Sequence, residues 1–159
     1  PKHERSYLFK LIKNYFLREI HSIIEQGIKL NIFGELNKFS LDLKSILKKS
    51  INVTKKNKKI IVNLAINYGS KKEILQSLKK ARSKISIKKI GNNLYTKNMP
   101  DPDILIRTGG HQRLSNFLLW QMAYTELFFL KKLWPDFNTN DLNTIIKKFK
   151  SIKRNYGNI

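Results

Sequence analysis

The densest run of reactive side chains is Arg107-Thr-Gly-Gly-His-Gln-Arg113-Leu114-Ser115-Asn116. Two guanidinium groups, a hydroxyl and two adjacent glycines are the parts from which a phosphate cradle is made. Arginine presents a fixed fork of donors that matches phosphate oxygens bidentately. Glycine lets backbone N–H groups approach an anion closely, and a helix opening near Ser115 would add a favourable dipole. The same residues also read as a tight turn, two solvated arginines and a helix cap. The run is not a Walker loop, for it lacks the Gly-Lys-Ser/Thr ending, and it holds no Gly-x-Gly-x-x-Gly fingerprint. Two smaller polar groups, Gly34-Glu35 and Asn67-Tyr68-Gly69, close other apolar segments.

These groups need elements that hold them at strand ends. Leu8, Leu11, Ile12, Tyr15, Phe16, Ile20, Ile23 and Ile24 recur at helical spacing, which predicts a helix over about residues 4–26, ended by Gly27. Residues 28–32 alternate like a strand up to Gly34. Ser40 is placed to cap a helix carrying Leu41, Leu43, Ile46 and Leu47. The apolar run 60–66 predicts a strand covered on both faces. Ser70 opens a helix whose expected apolar face is Ile74, Leu75, Leu78 and Ala81, and residues 91–103 read as a loop. A short strand at 104–106 precedes the Arg107 run. An apolar helix over about 115–124, a strand near 127–130 and a closing helix through Leu142, Ile145, Ile146 and Phe149 complete the chain. This alternation predicts a single α/β domain over residues 1–159, a mainly parallel sheet flanked by helices. In such sheets ligands lie beyond the carboxyl ends of the strands, where the Arg107 run falls.

The 159 residues carry 32 Lys and Arg against 11 Asp and Glu, a net charge of +21. That excess suits a phosphate-rich partner. Yet the lysines are scattered among abundant Ile and Asn, and no nucleic-acid recognition motif appears, so nucleic acid is not an expected partner. Cysteine is absent, which excludes disulfides and thiolate chemistry. No apolar run reaches the roughly 18 residues of a membrane span, and nothing resembles a signal peptide. The chain opens on Pro1 in the middle of an amphipathic pattern, as expected of a processed or incomplete piece.

The block 103–137 resembles the signature region of cis-prenyltransferases of the undecaprenyl diphosphate synthase type. It reads Asp103-Ile-Leu-Ile-Arg107-Thr-Gly-Gly-His-Gln-Arg113-Leu-Ser115-Asn-Phe-Leu-Leu-Trp120-Gln-Met-Ala-Tyr124-Thr-Glu126, then Leu133-Trp134-Pro135-Asp136-Phe137. Upstream, Ile-Phe-Gly34 and Leu-Ala-Ile-Asn67-Tyr68-Gly69 fall in the family's order, and Pro1-Lys-His-Glu4 resembles the end of its Asn-x-x-Arg-Pro-x-x-Glu segment. The resemblance implies a Mg²⁺-dependent enzyme that condenses isopentenyl diphosphate onto an allylic diphosphate such as farnesyl diphosphate, with cis double bonds. Arg107, Arg113, Leu114 and Ser115 would bind the isopentenyl diphosphate, and Glu126 would belong to the magnesium site. It further implies a homodimer in the cytoplasm, with peripheral membrane contact. Trp120, Tyr124 and Trp134 are expected to pack in a core or a dimer seam.

The catalytic Asp and Asn of the family belong to segments that would precede Pro1, so these residues alone are expected to be inactive. His111 stands where the family usually has Glu, Gly69-Ser70-Lys71 departs from its Gly-Gly-Arg, and Asn155 replaces the Arg of its Arg-x-Gly element. Arg154 is the neighbouring arginine that could stand in. The alternative to an enzyme is a regulatory or degenerate scaffold subunit. Such subunits tend to lose the Arg-Thr-Gly-Gly cluster that this chain keeps.

Overall fold

The computed structural model describes the backbone of residues 2–82 and 85–155, and side chains from Tyr7 onward. The chain divides into two compact units, Pro1–Tyr68 and Gly69–Ile159.

In the first unit, helix α1 (Lys2–Glu25) buries Phe16 and Ile23 on one face, seven positions and so about two turns apart. It stops where Gly27 takes a φ of +70°, a conformation that favours glycine. Strand β1 (Ile28–Phe33) follows, then α2 (Leu41–Thr54) and β2 (Ile60–Ala65). Ser40 caps α2 as expected, its hydroxyl accepting from the Leu43 N–H at 3.3 Å. Leu43, Leu47, Ser50 and Thr54 form the buried stripe of α2. The Thr54 hydroxyl donates to the Ser50 carbonyl and accepts the Leu30 N–H at 3.2 Å, tying α2 to β1. β1 and β2 pair in parallel, Ile28 opposite Ile60 through Phe33 opposite Ala65. The core is Phe16, Ile23, Leu30, Phe39, Leu43 and Leu47. β2 departs from expectation. Ile60 and Ile61 are each 54% exposed, and among the described residues β2 pairs only with β1.

The second unit begins with α3 (Ser70–Ala81) and a short helix, α4 (Ile87–Gly91), in a stretch to which the sequence reading assigned no element. The buried stripe of α3 is Ser70, Glu73, Ser77 and Ala81, while Leu75 is exposed. Apolar periodicity pointed to the neighbouring face. Hydrogen bonds decide the matter: Glu73 accepts from the Tyr95 N–H at 2.6 Å and from Gln121 Nε2 at 3.3 Å, and Ser77 donates to the Ile90 carbonyl at 2.6 Å. A polar stripe so partnered can be buried at little cost. Strands β3 (Ile104–Arg107) and β4 (Glu126–Phe129) pair in parallel, Ile104 opposite Glu126 and Arg107 opposite Phe129. The α/β class and parallel pairing agree with the sequence reading.

The closing helix α5 (Thr139–Ser151) begins with a capping box. The Asn138 side chain accepts from the Asn140 and Asp141 N–H groups, and Asp141 accepts from the Asn138 N–H at 2.9 Å. Lys132 Nζ donates to both Asp141 oxygens, at 2.9 and 2.7 Å. That lysine, and next the Asn138 N–H, hold the Asp141 carboxyl below its ordinary value of 3.8. A folded value below the unfolded one stabilises fully above pH 3.8, and the gain is lost as pH falls through the folded value. Asp141→Asn should therefore be less stable at neutral pH, with the gap closing in strong acid. Urea midpoints at both pH values check this, and an unchanged gap would assign the loss to cap geometry alone.

Candidate functional site

Arg107 is the last residue of β3, and the ladder holds it there through the Leu130 N–H, which donates to its carbonyl at 2.8 Å. The chain then turns through Gly109 and Gly110, at φ +90° and +77°. Their N–H groups donate to the Lys132 and Leu130 carbonyls at 2.9 and 2.8 Å. The N–H groups of the two glycines thus serve the turn, as the second of the two sequence readings had it, and not a ligand. His111 lies exposed.

Beyond the turn the chain folds back over Arg107. One guanidinium nitrogen donates to the Arg113 carbonyl and to the Ser115 hydroxyl, the latter at 3.0 Å. Leu105, Ile106, Arg107, Arg113, Leu114, Ser115 and Phe117 line an open cavity of ≈ 280 Å³. All four expected binding residues, Arg107, Arg113, Leu114 and Ser115, thus meet at one cavity. Its wall carries two permanent cations and a hydroxyl, and its remaining surface is aliphatic or aromatic. Ser115 accepts from Arg107 through oxygen, so its own proton is available to a phosphate oxygen. Such a lining suits a ligand with an anionic head and a short apolar tail.

The expected helix over 115–124 is absent. Ser115, Asn116 and Leu118 have φ of +48°, +63° and +43°, values a right-handed helix excludes, and the segment runs as successive turns. Its backbone groups bond to α3: the Ser70 N–H donates to the Asn116 carbonyl and the Leu119 N–H to the Ser70 hydroxyl. No helix dipole acts on the cavity from this segment. Tyr124 and Trp134 are 58% and 70% exposed, and Trp134 stacks on Phe137 at 5.6 Å. Neither packs in a core.

Glu126 stands apart from the cradle. It opens β4 opposite Ile104, at the other end of the ladder from Arg107, about 10 Å away by strand rise. Alternation also puts it on the other face, because Arg107 shares its side with Phe129 and Leu127. Arg154 lies on this side. It pairs with Asp103 at 2.5 Å, donates to the Tyr124 carbonyl at 2.9 Å, lies 4.0 Å from Glu126, and sits 5.2 Å from the centre of the Phe149 ring. Arg154 is thereby engaged within its own unit. Tyr156 and Gly157 of the suspected Arg-x-Gly element lie outside the described residues, as does the side chain of His3.

As to Mg²⁺, a hard carboxylate oxygen such as that of Glu126 is a suitable ligand, and Mg²⁺ often takes only one or two carboxylates beside phosphates and water. Among the described residues, no three His, Asp or Glu gather for it. The ladder geometry separates Glu126 from a diphosphate held in the cradle of the same chain.

The other polar strand ends have local work. The Glu35 N–H donates to the Asn67 carbonyl at 3.2 Å, and the Asn67 side chain donates back to the Glu35 carbonyl at 2.9 Å, joining the ends of β1 and β2. Tyr68 meets Phe33 edge-on at 5.4 Å.

The family model for undecaprenyl diphosphate synthase, a prenyltransferase family, matches residues 1–157. An isoprenyl transferase of Rickettsia felis is 42% identical over 158 residues, which is 97% of this chain and 67% of the relative. One from Clostridium tetani is 37% identical and is covered to 66%. The chain thus spans about two thirds of the length of these relatives. Among solved structures, a probable undecaprenyl diphosphate synthase from Campylobacter jejuni superposes with a TM-score of 0.92 at 29% identity, over 99% of this chain and 76% of that one. Lavandulyl diphosphate synthase from Lavandula x intermedia, in complex with dimethylallyl diphosphate, also scores 0.92, at 27% identity over 99% of this chain and 72% of that one.

Proposed function

This chain belongs to the undecaprenyl diphosphate synthase family of prenyltransferases, and we propose that it acts in the cis condensation of isopentenyl diphosphate onto an allylic diphosphate such as farnesyl diphosphate. The observation that carries the reading is the cavity at the end of β3, with two arginines and a hydroxyl over an apolar lining. Isopentenyl diphosphate has the complementary form, a diphosphate on a short branched hydrocarbon.

In this reading Arg107 and Arg113 neutralise the diphosphate and fix its orientation. Ser115 donates its hydroxyl proton to a phosphate oxygen. Leu114 and Phe117 cover the hydrocarbon and keep water from it. The held double bond is thus aimed at C1 of the allylic partner: its π electrons form the new C–C bond, and diphosphate leaves with the C–O electrons. The cation left on the isopentenyl unit loses a C2 proton, for which the released diphosphate is a base at hand, to form the new double bond. Mg²⁺, when bound, offsets charge on the departing diphosphate, and Glu126 is the ligand proposed for it from this chain. The same proposal has a polyprenyl product of undecaprenyl type and a homodimer working in the cytoplasm with peripheral membrane contact. Exposed Phe117, Tyr124, Leu127 and Trp134 offer apolar area for a seam. No described helix is long and apolar enough to cross a membrane.

The 159 residues contain no Asp-Gly-Asn-x-Arg-Trp-Ala segment, so by themselves they are proposed to bind isopentenyl diphosphate without extending it. Calorimetric titration of this chain with isopentenyl diphosphate tests the reading. Saturable binding, displaced by inorganic diphosphate, is expected. No heat up to about millimolar ligand would refute the assignment.

A further inference from the structure

Three non-glycine residues in a short span, Ser115, Asn116 and Leu118, hold positive φ values. Left-handed backbone is tolerated by Asn but is costly for Ser and Leu, and it persists only where surrounding contacts over-determine it. Those contacts come from the start of α3. Gly69 is the N-cap and contributes no side-chain cap, so the first N–H groups of the helix need partners from elsewhere. Asn116 supplies both. Its carbonyl accepts the Ser70 N–H and its side-chain oxygen accepts the Lys71 N–H, each at 2.8 Å. Ser70 answers from the helix, its fully buried hydroxyl accepting the Leu119 N–H at 2.9 Å. Gly69 leaves the space, since a Cβ there would lie 2.8 Å from Asn116 Nδ2.

We propose that Asn116 and Ser70 are positioning residues for the diphosphate cradle: together they lock residues 115–119 onto α3, and so set the Ser115 hydroxyl against Arg107. Asn116 acts as a helix cap delivered from a distant loop. Ser70 holds the other end of the lock from within α3, its hydroxyl accepting the Leu119 N–H. The role rests on the reading of the cavity as the isopentenyl diphosphate site, and it names residues outside the cavity lining.

The substitutions separate cap from strain. Asn116→Gly keeps the positive φ freely but removes the side-chain acceptor. Ser70→Ala removes the acceptor for the Leu119 N–H. Asn116→Asp keeps both the acceptor and tolerance of the left-handed region. Two readouts are used on the full chain: amide hydrogen exchange at Lys71 and Leu119, and titration with inorganic diphosphate and isopentenyl diphosphate.

Asn116→Gly should lose protection at Lys71, and Ser70→Ala at Leu119. Both should bind diphosphate about 5- to 10-fold more weakly, the worth of one net hydrogen bond in positioning, with the thermal transition still cooperative. Asn116→Asp should retain protection, even though its added charge weakens anion binding. Unchanged affinity in both Asn116→Gly and Ser70→Ala, beside a wild type that binds, would overturn the positioning role alone. A wild type that binds no diphosphate would overturn the cavity's assignment and this role with it.

Discussion

Replacing Arg107 with alanine should weaken isopentenyl diphosphate binding on the order of 10- to 100-fold, while affinity for the allylic substrate changes little. The size follows from the net loss of one charge-assisted hydrogen bond to phosphate, worth about 1.5–3 kcal/mol. Arg107 also donates to the Arg113 carbonyl and the Ser115 hydroxyl, so its loss frees both neighbours as well as removing a cation. Arg107→Lys separates the two effects. It keeps the charge and loses the planar fork, and should fall between wild type and alanine. The measurement is Kd for isopentenyl diphosphate in the chain, and its KM in a protein that also carries the family's upstream segments. An unchanged value for Arg107→Ala would remove the cradle from the mechanism.

The second large effect is on stability. Gly34 follows β1 with a φ of +122°, and a Cβ built there would lie 2.1 Å from the Ile66 carbonyl oxygen and 3.0 Å from its carbon. Neither strand end can retreat easily. Ile66 N–H donates to the Phe33 carbonyl at 2.9 Å, and Glu35 and Asn67 are bonded to each other just beyond. Gly34→Ala should destabilise the protein by roughly 3–5 kcal/mol, combining overpacking against backbone with φ strain. Since small domains are stable by about 5–15 kcal/mol, the variant should be close to unfolding at 37 °C. Urea denaturation followed by circular dichroism measures it, and a loss below about 1 kcal/mol would show that the strand ends can part.

Much of this was legible in the residues. The Ser40 cap, the parallel strands and the gathering of Arg107, Arg113 and Ser115 follow from apolar spacing and from polar groups at a strand's end, and Leu114 came with the family resemblance. The helix faces were legible in part, since Phe16, Ile23, Leu43 and Leu47 are buried but Leu8, Leu11, Tyr15, Ile24 and Leu41 are exposed. Periodicity failed where hydrogen bonds outrank apolar burial. The face of α3 that enters the interior carries Ser70, Glu73 and Ser77 beside Ala81, and of the four apolar residues expected there only Ala81 lies on it. Residues 115–124 carry helix-like apolar spacing, yet Asn116 is held by α3 in a left-handed turn. A Ser-Asn pair after a Gly-rich turn was the available signal, because Asn tolerates that conformation and caps readily. The separation of Glu126 from the cradle depends on strand register, which motif matching along one chain does not measure.

The polar stripe of α3 also bears on how the second unit finds its structure. Turning an α-helix by one residue rotates its face by about 100°. On an oily interface such an error loses little, since one aliphatic contact substitutes for another. Here the same rotation would take Glu73 from the Tyr95 N–H and Gln121, and Ser77 from the Ile90 carbonyl, leaving a charge buried without partners. Mis-seated arrangements of α3 would then be too unfavourable to persist. Only the seating that meets these partners also presents Ser70 to Leu119.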